Sequence, residues 1–526
     1  MRAIFLSFLI MSGIAGASAR PPNLLFLFPD QYRGDWMPGL HDDILPLRMP
    51  TLRSLAANGT RFTNAYVPSP LCAPSRASLA AGREYDQNGG VTNNGQNFNL
   101  SLITFMTLLK NGGYHTMISG KDDLTKATGP GPLGSFNAAA LGFIDYERCD
   151  GKGDVVNRGV PTEPYGITCA LHNTTLPNGT SVTLWDILTT VDNDCCVPLP
   201  DGGSNGEDCP IASAIPDTFY EDNWVTSNAL KLLDRKPTGQ PWFLHVSWPG
   251  PHPPFITTQT MLNATAGRTW PLATGNAVTP VDMQQELRRD YAAELENLDR
   301  LFGLVIDRVR ELGELDNTLI IMSSDHGEML GDFNAWGKEM PWRGSATVPL
   351  VISGPSLGIP KGHSIDASPV TTLDIAGTLL DYAGITLAPG MTTTTLRSFL
   401  STANNTITTP LSYRPFVSSG LTNHGLGWRA VIQQNGAKIW KYICCTGLFC
   451  EGRNNNNNTA RMDTDWKTRI TTAAAAHEAG YSKTAANFTE WLVETVTDPF
   501  DSTNVAMNHP TVVASLRALL PPGWCQ

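Results

Sequence analysis

Leu24-Leu25-Phe26-Leu27-Phe28 is an unbroken apolar run stopped by Pro29-Asp30. A strand with one wet face would alternate apolar and polar residues, so this run predicts a strand covered on both faces. Similar runs recur at Thr116-Met117-Ile118, Trp242 to Val246, Thr318 to Met322 and Pro349 to Ile352. Between them, apolar residues at helical spacing span Met49 to Asn58, Thr104 to Asn111, Asn223 to Leu233 and Gln284 to Leu312. Doubly buried strands alternating with helices predict an α/β fold, a sheet sandwiched by helices, with ligands beyond the carboxyl ends of the strands. The polar residues that follow each strand are therefore the candidates for chemistry.

A chain of 526 residues, 41% hydrophobic and 16% charged, supports one large domain and a smaller appendage. The stretch from Cys149 to Cys209 is rich in Gly, Pro, Asn and Cys with weak periodicity, which predicts a disulfide-pinned insertion. Past Leu379 the pattern changes. Met391 to Thr409 is a Thr- and Asn-rich connection, and alternating strands at Trp428 to Ile432 and Lys438 to Ile443 predict a small antiparallel subdomain. The expected organisation is a leader over 1–19, a main domain over 20–400 and a C-terminal subdomain over 401–526.

Arg2, the short apolar stretch from Ala3 to Met11 and the triplet Ala17-Ser18-Ala19 predict a secretory signal cleaved after Ala19. That stretch is too short to span a bilayer comfortably, so no stable membrane insertion is expected. Eight Asn-x-Ser/Thr sites, at Asn58, Asn99, Asn173, Asn178, Asn263, Asn404, Asn457 and Asn487, fit a secreted or extracellular glycoprotein, with a lysosome-like compartment as the alternative. Cys149, Cys169, Cys195, Cys196 and Cys209 form one cysteine cluster, and Cys444, Cys445, Cys450 and Cys525 another. Disulfides within each cluster are expected, and a zinc site lacks nearby paired histidines. A net charge of −11 argues against a nucleic-acid partner, which needs a basic face.

The most specific segment is Cys72-Ala73-Pro74-Ser75-Arg76-Ala77-Ser78-Leu79-Ala80-Ala81-Gly82-Arg83. It resembles the signature of the sulfatase family, in which the Cys of Cys-x-Pro-Ser-Arg is oxidised to formylglycine (3-oxoalanine). The resemblance continues in order through Asp30-Gln31, Gly120-Lys121, Pro249-Gly250-Pro251-His252-Pro253-Pro254, Ser324-Asp325-His326-Gly327-Glu328 and Lys338. It implies an alkaline-phosphatase-like mixed sheet between helices with a small antiparallel C-terminal subdomain, and hydrolysis of sulfate esters of small molecules or carbohydrates. It also implies a bound divalent metal and a formylglycine-generating enzyme as a biosynthetic partner. Trp491 to Ala506 resembles the closing segment of sulfatases, expected to pack on the main domain. With Cys72 set aside, 10 − 1 = 9 cysteines remain, so at least one is unpaired or bonds another chain.

A sulfate ester presents an anionic, poorly electrophilic sulfur, and a hydrated aldehyde both attacks it and lets sulfate leave. Asp30 and Asp325 follow two strands and can converge on one hard ion. The resemblance makes Asp30, Gln31, Asp325 and His326 the metal ligands beside residue 72. Relatives carry Asp and Asn at positions 31 and 326. Calcium is the first expectation, with manganese and magnesium as alternatives, because a histidine nitrogen is softer than an amide oxygen. Arg76 is expected to turn back from an early helical turn and orient the formylglycine. Lys121 matches the lysine bridging formylglycine and sulfate, His252 the histidine against sulfate, and Lys338 the lysine that binds sulfate and protonates the departing alcohol. Many relatives have His where this chain has Asp123, so Asp123 is either the base or, with Asp122, a solvated charge. His115 is expected at the opposite end of its strand and His245 in the core. Two other functions stand beside the sulfatase one: a phosphodiester or phosphonate monoester hydrolase with the same formylglycine, and a secreted binding protein without turnover.

Overall fold

The computed structural model describes residues 20–88, 93, 97–124, 138–149, 151–152, 160–161, 163–176, 178–191, 197–198, 207–208, 212–275, 279–400, 416–421, 427–446, 488–499, 501–520 and 525. The leader over 1–19, Cys195, Cys196, Cys209, Cys450, Asn404, Asn457, Asn487 and the Asn454 to Asn458 run lie outside them.

Leaving short two-stranded ribbons aside, the elements in chain order are β1 (Asn23–Leu27), α1 (Pro50–Ala57), β2 (Gly59–Tyr66), α2 (Cys72–Ala81), α3 (Phe105–Asn111), β3 (His115–Gly120) and β4 (Asp145–Arg148). They continue with α4 (Glu221–Arg235), β5 (Trp242–Ser247), α5 (Val281–Glu311), β6 (Thr318–Met322), β7 (Thr347–Ser353), β8 (His363–Ile365), β9 (Val370–Thr371) and α6 (Asp374–Tyr382). These strands make one 9-stranded sheet in the order β8-β2-β7-β6-β1-β5-β3-β4, with β9 also against β2. All are mutually parallel except β7, which runs antiparallel to both β6 and β2.

The apolar runs are explained by two cores. In β1, Leu25 and Leu27 enter the core built with α1, α4 and α5, while Leu24 and Phe26 enter the core built with α2, α3 and α6. Ile320 and Met322 of β6 follow the first pattern, and Leu319 and Ile321 the second. A strand of this kind has no face on which a polar residue can reach water. His245 of β5 falls on the second face, stacked on Phe26 at 4.9 Å, and burial drives its pKa down to about 3. It is a neutral core residue, while His115 starts β3 at the edge away from the strand ends that carry the site.

The C-terminal part forms a 4-stranded antiparallel sheet, β10 (Phe416–Leu421), β11 (Gly427–Asn435), β12 (Lys438–Thr446) and β13 (Phe488–Glu494), with helix α7 (Pro510–Arg517). Trp428, Ile432 and Trp491 from this sheet share a core with Tyr66, Met340 and Trp342 of the main domain. The closing segment joins them, since Asp501 accepts the backbone N–H of Arg343 at 2.7 Å. Cys444 and Cys525 form a disulfide inside the second cysteine cluster. The expectation for the first cluster is corrected at two positions: Cys149 and Cys169 are buried thiols, packed with Tyr165 in the core on the α4–α5 face. There Cys149 hydrogen-bonds with Glu221 and Cys169 with Tyr165. Five sequon asparagines, Asn58, Asn99, Asn173, Asn178 and Asn263, are exposed.

Gly120 ends β3 at φ +103, where a Cβ would stand 1.9 Å from the Ser247 carbonyl oxygen. Gly120→Ala should therefore cost at least about 2 kcal/mol of stability, from a left-handed non-glycine residue plus a backbone clash. Denaturant unfolding checks this value.

Candidate active site

The parallel strands deliver their ends to one edge. Asp30 and Gln31 follow β1, Lys121 follows β3, the Pro249 to Pro254 loop follows β5, and Asp325 and His326 follow β6. β2 ends at the same edge and leads into α2, whose first residue is Cys72. Because β7 is antiparallel, its start lies there as well, which brings the preceding Lys338 segment to the site. The loops are tied together by backbone bonds, with the Asp30 N–H donating to Trp248 at 2.9 Å and the Lys121 N–H to Ser247 at 2.9 Å.

Arg76, one turn into α2, organises the buried charges. Its Nε donates to Asp325 Oδ2 at 2.8 Å, its Nη2 to Asp30 Oδ2 at 3.2 Å, and its Nη1 to Ser247 Oγ at 2.8 Å and the Lys121 carbonyl at 3.0 Å. The guanidinium is thus directed at the two carboxylates rather than at the Cys72 side chain. Lys121 Nζ reaches Asp30 Oδ2 at 2.6 Å. Burial alone would raise the Asp30 pKa, but Lys121, His252, Arg76 and Lys338 hold it well below the ordinary carboxylate range. Burial works likewise against a charged Lys121, yet Asp30, Cys72 and Asp123 keep it protonated.

Asp325 Oδ1 accepts the backbone N–H groups of Gln31 at 3.0 Å and His326 at 2.9 Å. His326 Nδ1 lies 3.0 Å from the Gly327 carbonyl oxygen, an acceptor, so in the neutral ring the hydrogen sits on Nδ1 and the Nε2 lone pair faces inward. Burial lowers the ring's pKa, but Asp325 and Cys72 outweigh it and raise it, so without an ion the protonated ring is favoured. Nε2 stands 3.2 Å from Cys72 Sγ, 3.6 Å from Asp30 Oδ1 and 3.8 Å from Asp325 Oδ2. Candidate donor atoms of Asp30, Cys72, Asp325 and His326 all lie within 4.8 Å of one another. Two buried carboxylates and an imidazole lone pair converging in this way fit a divalent cation.

Cys72 Sγ faces the same cluster, 3.9 Å from Asp30 Oδ1. Lys338 Nζ donates to Sγ at 2.9 Å. Burial and Asp30 push the thiol pKa up, but Lys121, Lys338 and His326 outweigh them and hold it well below the usual thiol value. The pocket therefore favours negative charge at residue 72. Lys338 Nζ also donates to Gln31 Oε1 at 2.8 Å, and Gln31 itself adopts a left-handed backbone at φ 68.

His252 is half-buried on its proline-flanked loop, with Nδ1 against the Pro253 carbonyl. The loop is anchored by Asp222, whose Oδ1 accepts the Gly250 N–H at 2.9 Å. Asp123 is buried at φ 56, and its charge raises the pKa values of both Arg76 and Lys121. The solvated alternative for Asp122 and Asp123 is corrected: both are only 4% exposed, and Asp122 pairs with Arg148 at 2.8 Å. Three contributors were not singled out in the sequence: Ser247, Asp222 and Glu328. Only Glu328 had a signal, its place in Ser324 to Glu328.

A family model described as Sulfatase matches residues 22–385. The chain is 28% identical to the choline-sulfatase of Rhizobium meliloti (strain 1021), over 70% of this chain and 68% of that protein. It is 27% identical to an arylsulfatase of Clostridium perfringens (strain 13 / Type A), over 73% of this chain and 79% of that protein. Among solved structures, the phosphonate monoester hydrolase of Agrobacterium radiobacter superposes with a TM-score of 0.65 at 20% identity, covering 94% of this chain and 95% of that one.

Asp30→Asn and Asp325→Asn each remove a charged donor from the cluster, so each should lose most of its divalent metal and its activity while keeping the native circular dichroism. Elemental analysis after dialysis reads this out; full metal occupancy in both variants would mean that the ion binds elsewhere.

Proposed function

We propose that this chain, which belongs to the sulfatase family, hydrolyses sulfate monoesters with a formylglycine made from Cys72 and a divalent metal ion, calcium first, held by Asp30, Gln31, Asp325 and His326. The observation that carries this assignment is the setting of Cys72, at the start of α2 with Lys338 Nζ at 2.9 Å and His326 Nε2 at 3.2 Å. A nucleophile derived from that side chain would emerge among cations, where an anionic substrate is drawn in and charge that develops on oxygen is stabilised.

A formylglycine hydrate at residue 72 would supply one hydroxyl as nucleophile and a second whose deprotonation would allow sulfate to leave. A divalent ion held by Asp30, Gln31, Asp325 and His326 would supply positive charge to offset the charge that develops in the reaction. The chain's own side chains do the rest. Lys121 and His252 bind the sulfate group, and Arg76 fixes the two carboxylates so that neither turns away from the ion. The bond between sulfur and the alcohol oxygen breaks, and Lys338 gives its proton to that oxygen. Asp123, buried beside Lys121 and Arg76, is assigned as the base that takes the proton during release. Substrates are sulfated small molecules or carbohydrates, and a formylglycine-generating enzyme acts before folding.

Export is the setting that agrees with the leader over 1–19, five exposed sequons and the Cys444–Cys525 disulfide. Among the described residues no helix is long and apolar enough to cross a membrane.

Purified formylglycine-containing protein should release sulfate from aryl, alkyl or carbohydrate sulfates, and do so faster than it cleaves phosphonate monoesters or phosphodiesters. The reverse order would make the phosphoryl reaction the main one. Lys338→Ala should lower kcat/KM for alkyl sulfates by roughly 10²-fold or more, since a poor leaving group needs the proton. With a nitrophenyl sulfate, whose phenolate leaves unaided, the loss should be clearly smaller, whereas Lys121→Ala should affect both alike. Equal losses for Lys338→Ala would transfer the acid role to His252.

A further inference from the structure

Glu328 is 1% exposed, and its carboxylate is hydrogen-bonded to Gln31, Leu330 and Gly337. One carboxylate oxygen accepts the side-chain Nε2 of Gln31; the other accepts the backbone N–H groups of Leu330, at 3.0 Å, and Gly337. Gly337 immediately precedes Lys338, whose Nζ donates to Gln31 Oε1 at 2.8 Å and to Cys72 Sγ at 2.9 Å. The orientation of the Gln31 amide is therefore settled by chemistry at both ends. A carboxylate can only accept, so Nε2 faces Glu328; an ammonium can only donate, so Oε1 faces Lys338. The amide converts a buried negative charge at residue 328 into an acceptor aimed into the site.

We propose that Glu328 is a positioning residue for the reaction, fixing the Gln31 amide with Oε1 inward and, through that oxygen and the Gly337 N–H, the place of the Lys338 ammonium. Charge accounting supports this role. The Glu328 carboxylate sits one residue behind the partner of Lys338, and the Gln31 amide passes on its hydrogen-bonding preference. With Gln31→Glu alone, one oxygen of the new carboxylate still accepts from Lys338, but the other faces the Glu328 carboxylate in a dry site, a like-charge contact in place of a hydrogen bond. With Glu328→Gln alone, the new amide can keep its oxygen on the Leu330 and Gly337 N–H groups only by turning its NH2 towards that of Gln31. Gln31 must then flip and present a donor to Lys338. Exchanging both residues restores every bond: the new amide at 328 donates to the new carboxylate at 31, whose second oxygen accepts from Lys338.

The inference rests on the role assigned to Lys338 above. The test is a double-mutant cycle of Gln31→Glu, Glu328→Gln and the double exchange, with kcat on alkyl and nitrophenyl sulfates, metal content and unfolding temperature as readouts. Each single variant should lose about 10-fold or more in kcat on the alkyl sulfate, and the double exchange should be at least about 3-fold faster than the poorer single variant. Metal content is read in parallel because Gln31 is also a proposed ligand, and the unfolding temperature of the double exchange should exceed that of either single variant. A merely structural support for the 328–337 turn predicts no such rescue, because the second substitution would add its own damage. A double exchange no better than the poorer single variant, in rate and in unfolding temperature, overturns the proposal. Failure of the Lys338 role is separable, since it appears as equal leaving-group losses for Lys338→Ala in otherwise unsubstituted protein, whereas unfolding temperature reports the cycle without turnover.

Discussion

The buried contact of Arg76 with Asp30 and Asp325 is the constraint on which the rest of the site depends. Two carboxylates from neighbouring parallel strands, each fully buried, would repel one another and draw protons. The guanidinium offers a fixed fork of donors that satisfies one oxygen of each and leaves their Oδ1 atoms for other partners. Removing one member of such a buried group leaves an uncompensated charge and typically costs about 3–5 kcal/mol. Its own placement follows from α2: Cys72 and Arg76 are one helical turn apart, so the cysteine and the guanidinium that holds the two carboxylates are set by one rigid element.

The antiparallel strand β7 is the second device. A wholly parallel sheet would bring only strand ends to the site, whereas β7 enters at the edge where the others leave, carrying the segment with Glu328, Gly337 and Lys338. That segment is held from outside by the C-terminal sheet, since Trp428 Nε1 donates to the Glu339 carbonyl at 2.8 Å and Trp428 packs on Met340 and Trp342. The C-terminal sheet thus fixes the backbone next to Lys338.

The central strands were legible because burial on both faces removes polar residues, and a run as short and as apolar as Leu24 to Phe28 fits little besides a doubly covered strand. β2 was not, because Gly59–Tyr66 carries Thr60, Arg61, Thr63 and Asn64, and it lies towards the sheet's rim with half-buried positions. Nor could apolarity reveal that β7 is antiparallel. Motif order brought out Asp30, Cys72, Lys121, Asp325 and Lys338, and the structure gathers them. What stayed hidden were residues acting through others: Ser247 ends a strand like any serine, and Asp222 begins an ordinary helix. Cys149 and Cys169 misled, because cysteine spacing reports neither depth nor partner.

The central claim is that residue 72 works as an aldehyde and no longer as a thiol. Mass spectrometry of the peptide containing position 72, from protein secreted by a host that makes formylglycine, tests it most directly. The account predicts a formylglycine at that position, trapped by a carbonyl-specific reagent. A peptide carrying only cysteine, free or disulfide-bonded, in material that nonetheless hydrolyses sulfate esters would contradict it.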